Sequence, residues 1–326
     1  MRAFLHGSTL GTEERRSSVR TLGRLTRAVI FGPTCLAAVF IIAVASPMQA
    51  QQRVDLRRAA APDISLRIQG NYASLKVVAW SEDSVVVTGQ LPKGFRLEGG
   101  FGGADGTPSR GGKLFVEGPT PMGPSSGSLE VRVPLRTKLW AKASSATIDV
   151  SGVTGGLDLN VVSGSVTVTG NPSELSIESM DGNVTVTGSP AWTRLKTAAG
   201  DIVVRGGSGD AAFTTVSGNI HVGGGPLDRA RFESVTGGIE FTGDVARGAA
   251  ISVDTHSGAI DLQLDPKVSV ELDAASVAGS IENRLSRKQA EPGRDGRGAT
   301  LITSYGPGGA HLVVRTYKGS IRLSSR

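Results

Sequence analysis

From Ala146 onward, apolar and polar positions alternate in short runs that recur every 18 to 21 residues. The recurring unit is Gly-x-(Ile/Val)-x-(Val/Leu), with its glycine at Gly164, Gly182, Gly200, Gly218, Gly237, Gly258, Gly279 and Gly319; Ala146 takes that place in an earlier copy. Two residues after it stand Ile148, Val166, Val184, Ile202, Ile220, Ile239, Ile260, Ile281 and Ile321, all β-branched. Two further on the column is again apolar, from Val150 to Leu323, with Asn283 as the exception. A second run, apolar-x-apolar-x-Ser/Thr, precedes each glycine, as in Leu195-x-Thr197 and Phe213-x-Thr215. Alternation of this kind predicts strands with one face buried. Each repeat is thus two short strands and a corner, and a single repeat cannot bury its own apolar face. Stacked at ~4.8 Å, the repeats form a continuous core, which predicts an all-β protein built as a parallel β-solenoid. The glycine is expected to supply a positive φ or a close backbone approach at the corner. The Ser/Thr beside it is expected to satisfy turn backbone groups.

Upstream, alternation predicts strands at Ile64–Ile68, Leu75–Val78, Val85–Thr88, Lys113–Glu117 and Leu129–Val133, interrupted by Gly/Pro/Ser-rich loops at 98–112 and 118–127. Residues 51–137 therefore read as a less regular β region and residues 138–326 as the solenoid. Ser286 to Gly309, rich in Arg, Lys, Gly and Pro, reads as an insertion bulging from one rung.

Residues 1–50 differ in kind. Arg15 to Arg27 form a positive stretch, Ala28 to Ala45 carry no charge, and small or polar residues follow. This pattern reads as a signal peptide with cleavage after Ala45 or Ala50, placing the mature protein outside the cytoplasm. The alternative is an uncleaved membrane anchor, in which case the N-terminal segment is the one membrane contact. Cys35, the single cysteine, lies inside this segment, so the mature chain offers no disulfide, thiolate nucleophile or Cys-ligated zinc.

Composition agrees with the strand pattern. Glycine makes up 45 of 326 residues, about twice the ~7% average, which argues against a helical bundle. The net charge of +6 is concentrated at the start, where six arginines face two glutamates; the rest has 29 Lys and Arg against 27 Asp and Glu. A nearly neutral body lacks the concentrated positive footprint of a nucleic-acid binder.

Three further segments, Asn71 to Val87, Leu129-Glu130-Val131-Arg132-Val133-Pro134, and Gly308 through Lys318-Gly319-Ser320-Ile321, combine with the Ser-Gly-x-Val/Ile-x-Val units. With them the chain resembles the bacterial putative-adhesin family of β-strand-repeat proteins over residues 60–326. The resemblance implies an exported single-domain β-solenoid of unassigned function. It supplies no catalytic residues.

Little chemistry stands out. Gly123-Pro124-Ser125-Ser126-Gly127 spells G-x-S-x-G, but a Pro-rich loop precedes it and a strand follows, whereas a nucleophile elbow needs a strand before and a helix after. Gly206-Gly207-Ser208-Gly209-Asp210 is one residue short of the calcium-binding G-G-x-G-x-D and has no tandem copy, so turn glycines are expected. Thr167, Thr169, Thr185 and Thr187 give two Thr-x-Thr rungs and then stop. His256 and His311 match no ligand spacing, and the scattered Trp80, Trp140 and Trp192 read as core or corner packing rather than as a sugar-stacking platform.

One outward column is a candidate site: His221, Glu240, Asp261 and Glu282, with Arg322 following the insertion. Three carboxylates on consecutive rungs stand ~5 Å apart and repel. A bound cation such as calcium, a sugar or a basic loop relieves that, or the side chains splay into water. No other cofactor is expected. The leading functional expectation is an exported, non-catalytic, adhesin-like binding or structural module of the cell envelope, with a glycan or a protein as partner. The rival is a carbohydrate-active enzyme, a polysaccharide lyase or hydrolase on a β-helix scaffold.

Overall fold

The computed structural model describes residues 52–104, 106–119, 127–307 and 309–326. The predicted signal peptide, Cys35 and most of the Gly123–Gly127 motif lie outside the described residues. The described residues from Gln52 to Arg326 form one compact unit of strands; among them the one helical element is a short 3-10 turn at Arg294–Gly296, and none of them forms a helix long and apolar enough to cross a membrane.

Two stacks of parallel strands carry the fold. In the first, the apolar-x-apolar-x-Ser/Thr strands pair in register, for example Lys138–Ser145 with Gly156–Ser163, then Glu174–Asp181 and Trp192–Lys196. In the second, the strands that follow the corner glycine pair likewise: Thr147–Ser151, Val166–Thr169, Val184–Thr187, and onward through Ile202, Ile220, Ile239 and Ile260. Inward residues of both stacks form one core. Every member of the Ile/Val column is buried except Ile281, which is half-buried near the end of its stack. Phe213, Phe232 and Phe241 lie against one another in mid-array, with ring centroids 5.1 and 5.8 Å apart.

The N-terminal strands continue the same stacks. Ser74–Trp80 lies between Ser128–Pro134 and Thr147–Ser151, parallel to both. Gln52–Gly70 is one long strand: its second half lies between Ser109–Glu117 and Lys138–Ser145, while its first half pairs antiparallel with Ser84–Leu91. Antiparallel pairing also ends the first stack at the other side. Val270–Ser276 meets Ala299–Tyr305, a strand inside the predicted insertion.

The rungs near the C-terminus are not stacked in chain order. Strand Ala310–Thr316 lies between Ile239–Thr255 and Val270–Ser276, and Ile321–Ser325 lies between Ile260–Leu264 and Ile281–Asn283. The last repeat thus fills the gap between two earlier ones. Its long regular strands are paired on both sides, and the edge of the second stack falls to the three-residue strand Ile281–Asn283. A short, polar-tipped edge resists pairing with another chain. Asn283, the exception in the apolar column, is buried because it anchors the insertion: its Nδ2 donates to Ser286 Oγ (2.9 Å) and the Lys288 carbonyl (2.7 Å), and its Oδ1 accepts from Leu285 N (3.0 Å).

The corners work by close approach. At Gly182, Gly200, Gly218, Gly237, Gly258, Gly279 and Gly319 φ lies outside the left-handed range, yet an added Cβ would stand 1.7–2.0 Å from the carbonyl oxygen of the neighbouring corner glycine. Gly164 alone in this set has a positive φ, of 110°. The buried hydroxyls satisfy the turns at four corners, where Thr215, Thr255, Ser276 and Thr316 each accept from the backbone N–H of the glycine three residues on, at 2.9–3.1 Å; at Ser179 and Ser234 the buried hydroxyl makes no hydrogen bond.

Tyr72 joins the two stacks near the N-terminal end. Its ring is fully buried and its O–H donates to the Lys142 carbonyl (3.3 Å). Burial pushes the phenol well above its ordinary value of about 10. A raised folded-state value means the contribution is intact below pH ~10 and is lost as pH rises past it, because the unfolded chain ionises first. Tyr72→Phe should therefore unfold at higher pH than the wild type in alkaline titration, at a neutral-pH cost of about 1 kcal/mol for the lost hydrogen bond. Coincident alkaline unfolding curves would refute this.

Candidate functional site

The predicted acidic column lies on the outer face of the second stack, where alternation turns every second side chain to solvent. Its order differs from the expectation. Pairing runs His221, Glu240, Asp261, Arg322, Glu282, so Arg322 stands between Asp261 and Glu282. Three adjacent carboxylates are not present: the interleaved last repeat inserts a guanidinium that donates to Asp261 Oδ2 (3.0 Å) and Glu282 Oε2 (3.3 Å). Arg284 and Arg322 hold Glu282 below the usual carboxylate range. Glu240 and Asp261 are neighbours as expected, and Glu240 Oε2 lies 2.9 Å from His221 Nδ1. The repulsion that motivated a cation here is thus largely compensated within the chain. Among the described residues, no group of three or more His, Cys, Asp or Glu is placed to hold a metal ion.

The remaining motifs resolve into structure. Gly206 and Gly209 take positive φ not at a turn but at irregularities of register within strand Ile202–Thr214, and Asp210 accepts from Arg229, which holds its carboxyl below the usual range. His256 stacks on Tyr317 with ring centroids 5.0 Å apart, and His311 Nδ1 lies 3.2 Å from Glu271 Oε2. Trp80 is packed as expected, with its indole N–H donating to the Ser84 carbonyl (2.8 Å).

Two surface features are absent from the sequence reading. The first is a ridge along the corner, formed by the residue two before each repeat glycine. In spatial order it runs Val162, Met180, Ala198, Val216, Val235, His256, Tyr317 and Val277, linked by the corner hydrogen bonds of successive rungs. Val162, Met180, Val216, Val235, Tyr317 and Val277 are each 45–60% exposed. Seven steps of ~4.8 Å make the ridge about 34 Å long. Beside it, on the outer face of the first stack, runs a polar column of Lys142, Asn160, Glu178 and Lys196. Tabulating the column two before the glycine reveals the ridge in the sequence itself.

The second is a groove of about 440 Å3 on the outer face of the first stack, lined at one end by Lys138 and Trp140 and at the other by Trp192. Asp158, Glu174 and Ser176 lie between them. Trp192 is not a core residue, being 42% exposed, whereas Trp140 is half-buried.

A family model, Toastrack DUF4097, matches residues 51–323. No curated protein matches the chain. Among solved structures, the chain is similar to a putative cell adhesion protein from Clostridium sporogenes, at 8% identity and a TM-score of 0.22, over 84% of this chain and 100% of that one. It is also similar to a putative adhesin from Bacteroides fragilis, at 11% identity and a TM-score of 0.38, over 84% and 98% of the two chains. The family match runs across both stacks and the inserted last repeat, and the chain belongs to the Toastrack DUF4097 family.

Proposed function

We propose that this protein is an exported, non-catalytic, adhesin-like module that binds a protein of the cell envelope through its corner ridge. The observation that carries the reading is the ridge itself. Contiguous exposed apolar surface is costly in water, and on soluble proteins it marks interaction sites. Buried hydroxyls and close-packed glycines hold its backbone in place, so the ridge is presented without loss of conformational freedom on binding. The flanking column of Lys142, Glu178 and Lys196 carries both signs of charge. It calls for a partner with an apolar strip bordered by complementary charges, which fixes register and orientation. Export is supported by the basic, apolar and small-residue order of residues 1–50.

The test is co-sedimentation of the purified mature protein with isolated bacterial envelopes, before and after protease treatment of the envelopes. Wild-type protein should pellet with untreated envelopes only. The Val216→Lys/Val235→Asp double variant changes exposed positions on adjacent rungs and places opposite charges side by side, so it should keep its far-UV spectrum and stay within about 0.5 kcal/mol of wild-type stability while losing envelope binding. Equal pelleting of wild type and variant, or binding that survives protease, would discard the ridge as the protein-binding surface. Self-association of the wild type that the double variant abolishes would assign the ridge to a second copy instead.

A further inference from the structure

We propose that the two-tryptophan groove is a binding site for a neutral oligosaccharide; this adds a second ligand to the adhesin-like reading and rests on it only for the biological setting. The repeat geometry builds the groove. Trp140, Asp158, Ser176 and Arg194 occupy one outward column on successive rungs, while Lys138, Gly156, Glu174 and Trp192 occupy the adjacent one. Trp140 and Trp192 thus stand three rungs apart, about 14 Å, the scale of a short oligosaccharide. Gly156 lies between Lys138 and Glu174 in its column and leaves the floor open where any other residue would project.

The two indoles have different tasks. The Arg67 guanidinium lies 4.6 Å from the Trp140 ring centroid and covers one face, so Trp140 closes one end of the groove as a fixed wall. Trp192 presents an exposed ring, and an aromatic face is a platform for the apolar C–H face of a pyranose. Between them, the Asp158 and Glu174 carboxylates accept hydrogen bonds from hydroxyls, and Lys138 donates. Asp158 is already oriented by Asn160, whose Nδ2 donates to its Oδ1 (2.7 Å). The groove thus sets an aromatic surface beside convergent polar groups that can fix a ligand's orientation. Charge sets the ligand class. Of the charged residues that line the groove, Lys138 is set against Asp158 and Glu174, so the lining offers no net attraction to a polyanion, while its acceptors suit a ligand rich in hydroxyl donors.

The experiment is a tryptophan-fluorescence titration, supported by calorimetry, of the full mature protein with cellotetraose and, as the anionic arm, tetragalacturonate. Cellotetraose should shift the emission and bind, and Trp192→Ala should weaken binding roughly tenfold, with Trp192→Tyr restoring most of it. Trp80→Phe, which lies away from the groove, should leave the affinity unchanged. Absence of cellotetraose binding, stronger binding of tetragalacturonate, or equal affinity of wild type and Trp192→Ala would each overturn the assignment. A fall in melting temperature of Trp192→Ala comparable to its loss of affinity would assign the residue a structural role and overturn it too. Protease-sensitive envelope binding through the ridge is read in a separate assay, so failure of the glycan site and failure of the adhesin-like reading remain distinguishable.

Discussion

Gly218→Ala should destabilise the protein by about 3 kcal/mol or more, although it adds one methyl group and removes no hydrogen bond. The added Cβ would stand 2.0 Å from Gly200 O, 2.5 Å from Gly200 C and 3.0 Å from Asp201 N, all backbone atoms that cannot rotate away. The corner glycines touch in series, because a Cβ on Gly237 would in turn stand 1.7 Å from Gly218 O. Relief therefore requires neighbouring rungs to part. That strains the hydrogen bond from Ile202 N to Asn219 O (2.8 Å) and the one from Gly218 N to Thr215 Oγ1 (3.1 Å). Backbone torsion contributes nothing here, since φ at Gly218 lies outside the left-handed range. Gly100→Ala is the matched control: no atom lies within 4 Å of its added Cβ and its φ is also unstrained. There the lost freedom of the unfolded chain should leave stability unchanged or raise it by up to ~1 kcal/mol. Urea midpoints that fall equally for the two variants would show that close approach is not what selects glycine at the corners.

What the sequence makes legible is whatever the period makes local. The Ile/Val column, the Ser/Thr beside each corner and the two-strand repeat depend on neighbours a few residues apart, and the structure places them as the alternation requires. The order of the last rungs is different. Between Gly279 and Gly319 the period lapses for 40 residues, and nothing local in Ile321-Arg322-Leu323 records whether it caps the stack or fills a gap within it. The order of the acidic column is hidden for that reason alone, since its residues, their outward direction and the Glu240–Asp261 pairing all follow from the repeat. The strand Ala299–Tyr305 leaves only a faint trace in the sequence: Ala299 and Leu301 alternate with polar neighbours, amid Gly, Pro and Arg that read as a loop. The tryptophan groove was legible in the arithmetic. Trp192 falls two residues short of three full periods after Trp140, which puts it in the adjacent outward column. The charge balance of the groove and the Arg67 contact belong to tertiary structure, because Arg67 reaches Trp140 only through the pairing of Gln52–Gly70 with Lys138–Ser145.

Ile220→Asp should be the most damaging single substitution in the array. Ile220 is fully buried, paired in register with Ile202 on one side and Ile239 on the other. An aspartate there loses the burial of an isoleucine side chain and places a carboxylate among apolar neighbours with no cation or donor to meet it. The expected loss is several kcal/mol, which for a protein of ordinary stability means an unfolded or aggregating product. Ile220→Val serves as the graded companion, removing one methylene from the same site for about 1 kcal/mol. The adjacent position tests the alternation itself. His221 points outward and its side chain is 46% exposed. An aspartate at 221 is a poor control, because Glu240 Oε2 lies 2.9 Å from the imidazole and a carboxylate there would add like-charge repulsion. His221→Gln keeps the position polar and adds no carboxylate, and should shift stability by no more than about 0.5 kcal/mol. Chemical denaturation of the three variants should therefore rank them Gln at 221, Val at 220 and Asp at 220, in order of increasing loss. A His221→Gln loss equal to that of Ile220→Asp would mean that neighbouring residues on this strand do not face opposite sides, and the assignment of core and surface would fail along the whole stack.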